Sequence, residues 1–349
     1  MKKITALLLA LMMPVCILAG CTKQNDREKN NPDKTGKLKV VTTIFPEYDW
    51  VREILGDKAE NAELTMLLDN GVDLHSYQPT ADDIVKISTC DLFIHVGGES
   101  DGWVEGALKN AANKNVKVIN LMEVMGNSVK AEETIEGMQG TEHDHDHEDA
   151  DEHDEVDGHD EVDGHDHENN AEYDEHVWLS LKNAEILVGA ISDALQELDP
   201  ENKDTYAANA DAYVKKLSAL DADYRAAVAG AVYKTILFGD RFPFRYLVDD
   251  YGLSYYAAFA GCSAETEAGF DTITFLAGKV DELGLPCVLT IEGAQHKIAE
   301  TIVQNTAAKN QKVLTMDSMQ STTSKDAANG TTYLSVMEKN LSVLKQALG

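Results

Sequence analysis

Positive charge is scarce in this sequence. Its 349 residues include 61 Asp or Glu against 30 Lys or Arg, and the formal net charge is −31. No basic stripe runs along any segment with the apolar pattern of a folded domain, so nucleic acid is not expected as a partner. Much of the acidity is local, because residues 141–175 contribute −18 of the net charge.

Long apolar runs are also scarce. The N-terminal run, residues 4–18, follows a charged start and is too short for a comfortable membrane span, so we interpret residues 1–20 as a signal peptide. Residues 18–21, Leu-Ala-Gly-Cys, resemble the processing site of bacterial lipoproteins. This predicts that Cys21 is acylated and anchors the chain to the extracytoplasmic face of the cell membrane. Residues 21–37 are polar and predict a flexible tether.

Cysteine is rare, and the number left in the folded part is odd. Cys16 lies in the predicted signal peptide and Cys21 is the predicted lipid site, which leaves Cys90, Cys262 and Cys287. Three thiols without a Cys-x-x-Cys motif do not make a disulfide framework. The sequence leaves open a Cys262–Cys287 pair, but three buried thiols are our expectation.

Three common catalytic motifs are missing. The chain contains no His-Glu-x-x-His, no Gly-x-Ser-x-Gly and no glycine-rich loop that cradles a phosphate. We therefore expect a protein without enzymatic activity. The alternative is an extracytoplasmic zinc hydrolase, in which three protein ligands would leave one metal position open for water.

Strand and helix patterns alternate on both sides of a long helical run. Residues 38–44 and 62–68 predict strands, and helix signals such as Pro46 separate them, which is typical of parallel α/β sheets. Thirty helical residues would reach roughly 45 Å. We predict an α/β fold with two parallel-sheet lobes joined by a long rigid helix. The predicted bounds are 38–199 for the N-terminal lobe, 200–230 for the linking helix and 231–349 for the C-terminal lobe.

The stretch 141–175, called here the His-rich insert, differs from the rest of the chain. It holds seven of the eleven histidines and a tandem His-Asp-Glu-Val-Asp-Gly repeat. Its composition cannot bury enough apolar surface to order the chain, so we predict a disordered segment. Imidazoles and carboxylates bind divalent transition metals, which favours an auxiliary metal-binding loop over a plain acidic spacer. The predicted auxiliary ligands are His143, His145, His147, His153, His159, His165 and His167.

Polar side chains follow several predicted strands, at the edge where open α/β sheets bind ligands. His75 follows the second strand, and His176 lies where the insert returns to apolar periodicity. Asp240 and Glu292 follow two strands of the C-terminal lobe. Two imidazoles with one or two carboxylates suit a four-coordinate divalent metal ion. His296, four residues beyond Glu292, or water are alternatives for the third and fourth ligands.

Several of these segments resemble a known family, the zinc and manganese solute-binding lipoproteins of ABC transporters. Residues 72–80 are similar to its "G-x-D-P-H-x-Y-E-P-T" loop, residues 174–179 to its "D-P-H-V-W-L", and residues 262–267 to its Ser-Pro-Glu-x-Glu segment, while Glu292 falls at an acidic ligand position. The resemblance covers about residues 38–349. It implies a metal site in the cleft between the lobes and delivery of the ion to a membrane permease driven by an ATPase. We expect a monomer.

One position departs from the family pattern. Where the family has a ligand His or Glu after the first strand of the second lobe, this chain reads Phe238-Gly239-Asp240-Arg241. Glycine cannot bind a metal, and Arg241 is expected to repel a cation or to pair with Asp240 or Glu292. The ligand set is then His75, His176, Glu292 and Asp240, or the first three with water.

The identity of the metal is open between zinc and manganese. Two His with two carboxylates also suit Mn²⁺, but the His-rich insert favours Zn²⁺ because imidazole-rich tracts prefer it over the harder ion. We therefore predict a zinc-binding lipoprotein of a metal importer. The alternatives are a manganese-specific binding protein, a metal-dependent surface adhesin and the zinc hydrolase named above.

Overall fold

Two parallel β-sheets organise the computed structural model, which describes residues 36–140, 172–263, 267–293 and 296–349. The strands of the first sheet are β1 (Leu38–Thr42), β2 (Ala62–Met66), β3 (Leu92–His95) and β4 (Lys117–Asn120). Those of the second sheet are β5 (Thr235–Phe242), β6 (Ser254–Ala260), β7 (Cys287–Thr290) and β8 (Lys312–Thr315). The strand orders are β2-β1-β3-β4 and β6-β5-β7-β8. The predicted α/β class with two parallel sheets is confirmed.

Helices connect the strands in the alternation that the sequence predicted. Their bounds are α1 Phe45–Leu55, α2 Ala81–Thr89, α3 Val104–Lys109, α4 Leu121–Met125, α5 Leu181–Leu198, α6 Lys203–Ala229, α7 Arg245–Tyr251, α8 Phe270–Leu283, α9 Lys297–Asn305, α10 Ser324–Ala328 and α11 Tyr333–Leu348. The five-residue helices α4 and α10 were not predicted, because so short a segment carries little helical periodicity.

The central strands are apolar on both faces. In β1 every residue except Lys39 is buried, and Val41 lies in register with Thr65 of β2 and Phe93 of β3. Such continuous burial is expected where helices cover both faces of a parallel sheet. In each sheet the strand order reverses beside the first strand, and at that reversal ligands bind beyond the carboxyl ends of the strands.

The long helix α6 has 27 residues, a length of about 40 Å. One side of it is buried at steps of three and four residues, from Tyr206 to Val228, and packs against α1, α5, α7 and α11. The described residues from Lys37 to Gly349 cluster as one compact unit, so the predicted boundaries between lobes stay a prediction.

The chain end packs against the first helix. Tyr333, at the start of α11, is fully buried, and its backbone N donates to Oδ2 of Asp49 at 2.8 Å. Its hydroxyl donates to the carbonyl oxygen of Trp178 at 2.7 Å, and its ring meets that of Trp50 edge to face. Residues far apart in the sequence thus share one core.

Strand β5 is longer than the sequence indicated. We expected this strand to end before Asp240, but it runs to Phe242 and α7 begins at Arg245. Its pairing with β6 shifts register between Phe238 and Arg241. Asp240 therefore lies inside an irregular strand, and the expectation that it follows the strand is wrong.

Candidate metal-binding site

His75 lies in a single 3₁₀ turn, Leu74–Ser76, beyond the end of β2. Asp73 caps this turn by accepting a hydrogen bond from the backbone N of His75 at 3.0 Å. On the ring, Nδ1 lies 2.8 Å from Oγ of Ser100 and 3.6 Å from Oε2 of Glu175. These contacts engage Nδ1 of the ring, and Nε2 of His75 points away from Ser100 and Glu175.

His176 stands directly before the 3₁₀ turn Val177–Leu179 and is fully buried. Oδ1 of Asp174 lies 2.8 Å from its backbone N and 2.9 Å from its Nδ1. A carboxylate on Nδ1 fixes the tautomer with Nε2 unprotonated, which is the arrangement around many metal-binding histidines. Asp174 therefore orients this ring and makes Nε2 the available donor.

The two rings face each other through their Nε2 atoms. These atoms lie 3.2 Å apart, and the ring centroids lie 5.1 Å apart. A tetrahedral zinc ion with Zn–N bonds of about 2.0–2.1 Å places two ligand nitrogens about 3.3 Å apart. The observed separation matches that requirement, so the two Nε2 atoms are spaced to bind one ion. His75 and His176 are the predicted ligands that the fold brings together.

Cys262 joins the histidine pair. One ligand atom each from His75, His176 and Cys262 lies within 4.8 Å of the others. The residue follows β6 by two positions, and its backbone N donates to Oε1 of Glu132 at 3.3 Å. Cys90, Cys262 and Cys287 are all free thiols, as expected, but only Cys90 and Cys287 are buried, and Cys262 is partly exposed. Burial, with Glu132 and Asp174 nearby, raises the pKa of the Cys262 thiol above its usual value, so it holds its proton at neutral pH when no metal is bound.

The electrostatic surroundings favour a cation. Burial, reinforced by His176, lowers the pKa of His75 to about 3, so this ring is neutral at physiological pH, which is the metal-binding form. Burial also acts to lower the pKa of His176, but Asp174, Glu132 and Glu175 hold it above its usual value. One buried oxygen of Glu132 and one of Glu175 have no hydrogen-bond partner. A bound cation would compensate this concentration of acidic groups.

Arg241 supplies a positive charge at the edge of the site. Its Nη2 donates to Oδ2 of Asp73 at 2.7 Å, and its Nη1 donates to the carbonyl oxygen of Ser263 at 3.4 Å. The sequence led us to expect that Arg241 repels a cation or pairs with Asp240 or Glu292. Its guanidinium instead pairs with Asp73, next to the turn that carries His75.

The other predicted ligands lie outside this cluster. Oδ2 of Asp240 accepts a hydrogen bond from Oγ1 of Thr290 at 2.6 Å, and Thr290 Oγ1 lies 3.1 Å from Nδ1 of His296. The carboxylate of Glu292 accepts hydrogen bonds from the backbone N and hydroxyl of Ser318, at 2.6 and 2.7 Å, and from the backbone N of Gln320 at 3.1 Å. The ligand roles of Asp240, Glu292 and His296 stay predictions.

Several site residues were not singled out from the sequence. Cys262 is the most important of them, and its position directly after a strand is the signal that identified His75. Ser100 and Gln320 also follow strands, and the side-chain amide of Gln320 lies 3.4 Å from Nε2 of His176. Serine and glutamine are too common after strands for that position to single them out.

Two sequence predictions lie outside the described residues. The seven histidines of the insert fall within 141–171, and the lipidation site Cys21 falls within 1–35. In the part of the chain that the structure describes, no helix has both the length and the hydrophobicity needed to cross a bilayer.

The fold and the site together define a two-sheet α/β protein with histidine donors where the sheets end. A family model described as "Zinc-uptake complex component A periplasmic" (ZnuA) matches residues 40–347, and the chain belongs to this family. The family predicted from residues 72–80 and 174–179 is thereby confirmed.

Relatives with similar sequences carry zinc-related names. The zinc-binding lipoprotein AdcA of Streptococcus pneumoniae is 32% identical over 346 residues, which cover 99% of this chain and 61% of AdcA. The high-affinity zinc uptake system protein ZnuA of Bacillus subtilis is 29% identical over 338 residues, which cover 97% of this chain and 96% of that protein. The chain thus spans about three fifths of AdcA and nearly all of the Bacillus protein.

A solved structure agrees with the fold. The Zn(II)-bound ZnuA-like domain of Streptococcus pneumoniae AdcA superimposes with a TM-score of 0.66 at 28% identity. The match covers 90% of this chain and 99% of that domain. The similarity therefore includes both sheets.

Proposed function

We propose that this protein captures Zn²⁺ outside the cytoplasm and delivers it to a membrane permease driven by an ATPase. The observation that carries the proposal is the pair of Nε2 atoms, 3.2 Å apart, of His75 and His176. Membership of the zinc-uptake family and the names of the relatives support it. Zinc is the cargo, so the protein needs affinity and release rather than turnover.

The proposed location follows from the N-terminal sequence. A signal peptide over residues 1–20 and a lipid on Cys21 would hold the chain at the outer face of the cell membrane, with residues 21–37 as its tether. The proposed organisation is an N-terminal lobe, residues 38–199, and a C-terminal lobe, residues 231–349, joined by a helix at 200–230. The metal would enter the cleft between the lobes of a monomer.

The test is metal binding by the purified protein. Elemental analysis of protein purified without added zinc should show a divalent metal, and calorimetry should show one tight zinc site. Replacing His75 or His176 by Ala should weaken that site by orders of magnitude. It should also reduce stabilisation by zinc, which is about 2.7 kcal/mol at a free concentration of 100 Kd.

His95→Ala is the matched comparison, because His95 contacts Asp101 rather than the histidine pair. We expect this variant to bind zinc as the wild type does. Unchanged affinity in both His75→Ala and His176→Ala would place the site elsewhere. A zinc-dependent hydrolysis of esters, phosphates or peptides that is lost with His75→Ala would favour the hydrolase instead.

A further inference from the structure

We propose that Cys262 is the third protein ligand of the metal ion, so that the site is a His₂Cys site rather than one closed by Asp240. The inference rests on the proposed function and specifies its metal chemistry. It begins from the geometry, in which donor atoms of His75, His176 and Cys262 all lie within 4.8 Å of one another. A tetrahedral ion with a Zn–S bond of about 2.3 Å needs sulfur about 3.6 Å from each nitrogen. The 4.8 Å limit exceeds this requirement by about 1.2 Å, so a small shift of the thiol suffices.

The backbone presents Cys262 close to His176. A Cβ added at the preceding residue, Gly261, would lie 2.8 Å from the carbonyl oxygen of Phe242 and 3.2 Å from Cε1 of His176. This turn therefore runs directly against the imidazole, and only a residue without a side chain fits there. The close approach brings Cys262 near the histidine pair.

Arg241 ties the two ligand-bearing turns together. It contacts Asp73, two residues before His75, and Ser263, the residue after Cys262. Arg241 therefore links the turn that carries His75 to the turn that carries Cys262. Asp73 holds the guanidinium of Arg241 at the edge of the site, and the thiol of Cys262 lies inside it.

The carboxylates that the sequence suggested are already engaged. Asp240 accepts a hydrogen bond at 2.6 Å from Thr290, and Glu292 accepts three from residues 318–320. Either would have to give up these bonds to reach the histidine pair. Cys262 differs from both carboxylates, because its donor atom already belongs to the cluster.

A thiolate ligand also selects the metal. When the metal–sulfur bond forms, the S–H bond breaks and its proton passes to solvent. Thiolate is a soft ligand that suits zinc, whereas manganese suits carboxylates and water. Cys262 therefore makes the site discriminate against Mn²⁺, independently of the His-rich insert.

The experiment is X-ray absorption at the zinc edge on the full chain loaded with half an equivalent of Zn²⁺, so that only the tightest site fills. The wild type should show one sulfur at about 2.3 Å together with nitrogen or oxygen neighbours. Cys262→Ala should lose this sulfur and bind zinc at least about 100-fold more weakly, the upper end of the loss expected from removing an outer hydrogen-bond partner. Cys287→Ala, the matched control at a buried thiol of β7, should keep both the sulfur neighbour and the zinc affinity of the wild type.

The outcomes separate the two proposals. Tight zinc binding with nitrogen and oxygen neighbours alone would overturn the role of Cys262 and leave the proposed function standing. Sulfur that persists in folded Cys262→Ala, checked by its thermal unfolding, would also overturn it. If the wild type binds no zinc tightly, the proposed function fails and the role of Cys262 fails with it.

Discussion

A single methyl group at position 261 should disturb zinc binding. Gly261 lies where the turn after β6 passes the ring of His176, with room for no side chain. The Gly261→Ala methyl would lie 2.8 Å from the carbonyl oxygen of Phe242, which is backbone and cannot rotate away. The strain must therefore shift the turn, the ring of His176 or both.

The expected magnitude follows from these contacts. Inserting a methyl group into a packed site typically costs about 1–3 kcal/mol. Zinc affinity should fall about 10–100-fold, as when a metal-bound histidine loses an orienting partner, because His176 would be displaced while its donor atom remains. This loss should be smaller than that in His176→Ala, which removes the donor altogether.

The assay is zinc calorimetry and thermal unfolding of Gly261→Ala beside Gly278→Ala. Gly278 lies exposed within α8, and a Cβ there would meet no atom within 4 Å. Its replacement should stabilise the protein by about 0.5–1 kcal/mol, since alanine is the better helix residue, and should leave zinc affinity unchanged. Equal zinc affinity in the two variants would refute the role assigned to the turn at Gly261.

Two further predictions concern pH and the insert. Burial raises the pKa of Asp49 from 3.8 to about 6. Protonated Asp49 therefore contributes to the free energy of unfolding below pH 3.8, and this contribution is lost as pH rises through about 6. The loss is at most about 3 kcal/mol. The free energy of unfolding of Asp49→Asn should be compared with that of the wild type at about pH 4 and pH 7.5. The difference should favour the variant more at the higher pH, and a pH-independent difference would contradict this. Deleting residues 141–170 should leave one tight zinc site and remove weaker ions that bind at about pH 7.5 but not at pH 5.5, either side of the usual histidine pKa. Equal zinc stoichiometry with and without the segment would rule out an auxiliary metal-binding loop.

Local patterns sufficed for the fold and for two of the three donors in the candidate site. The sheets could be predicted because buried parallel strands are continuous apolar runs, as in β1. His75 and His176 could be found because each stands at the border of such a run or of the insert. The position of a residue relative to a strand or to the insert can be read directly from the sequence.

The other features of the site were not predicted, because they depend on contacts between residues that are distant in the sequence. Arg241 pairs with Asp73, a residue 168 positions away, and no local pattern specifies that choice. Cys262 looked like an ordinary buried thiol, because its nearness to His176 exists only once β6 is in place. Asp240 was misplaced because β5 continues through an irregular register that a glycine normally interrupts.

The packing of α11 on α1 has a consequence for how the chain acquires its structure. Asp49 and Tyr333 meet across 284 positions of sequence. Closing a flexible loop of that length would cost about 5 kcal/mol in chain entropy, and contacts formed earlier within each half must reduce this cost. During synthesis α1 is made long before α11, and until α11 is in place Trp50 lacks its edge-to-face contact with Tyr333, although α5 and α6 cover other parts of α1. Apolar surface that is exposed at this stage favours association between chains.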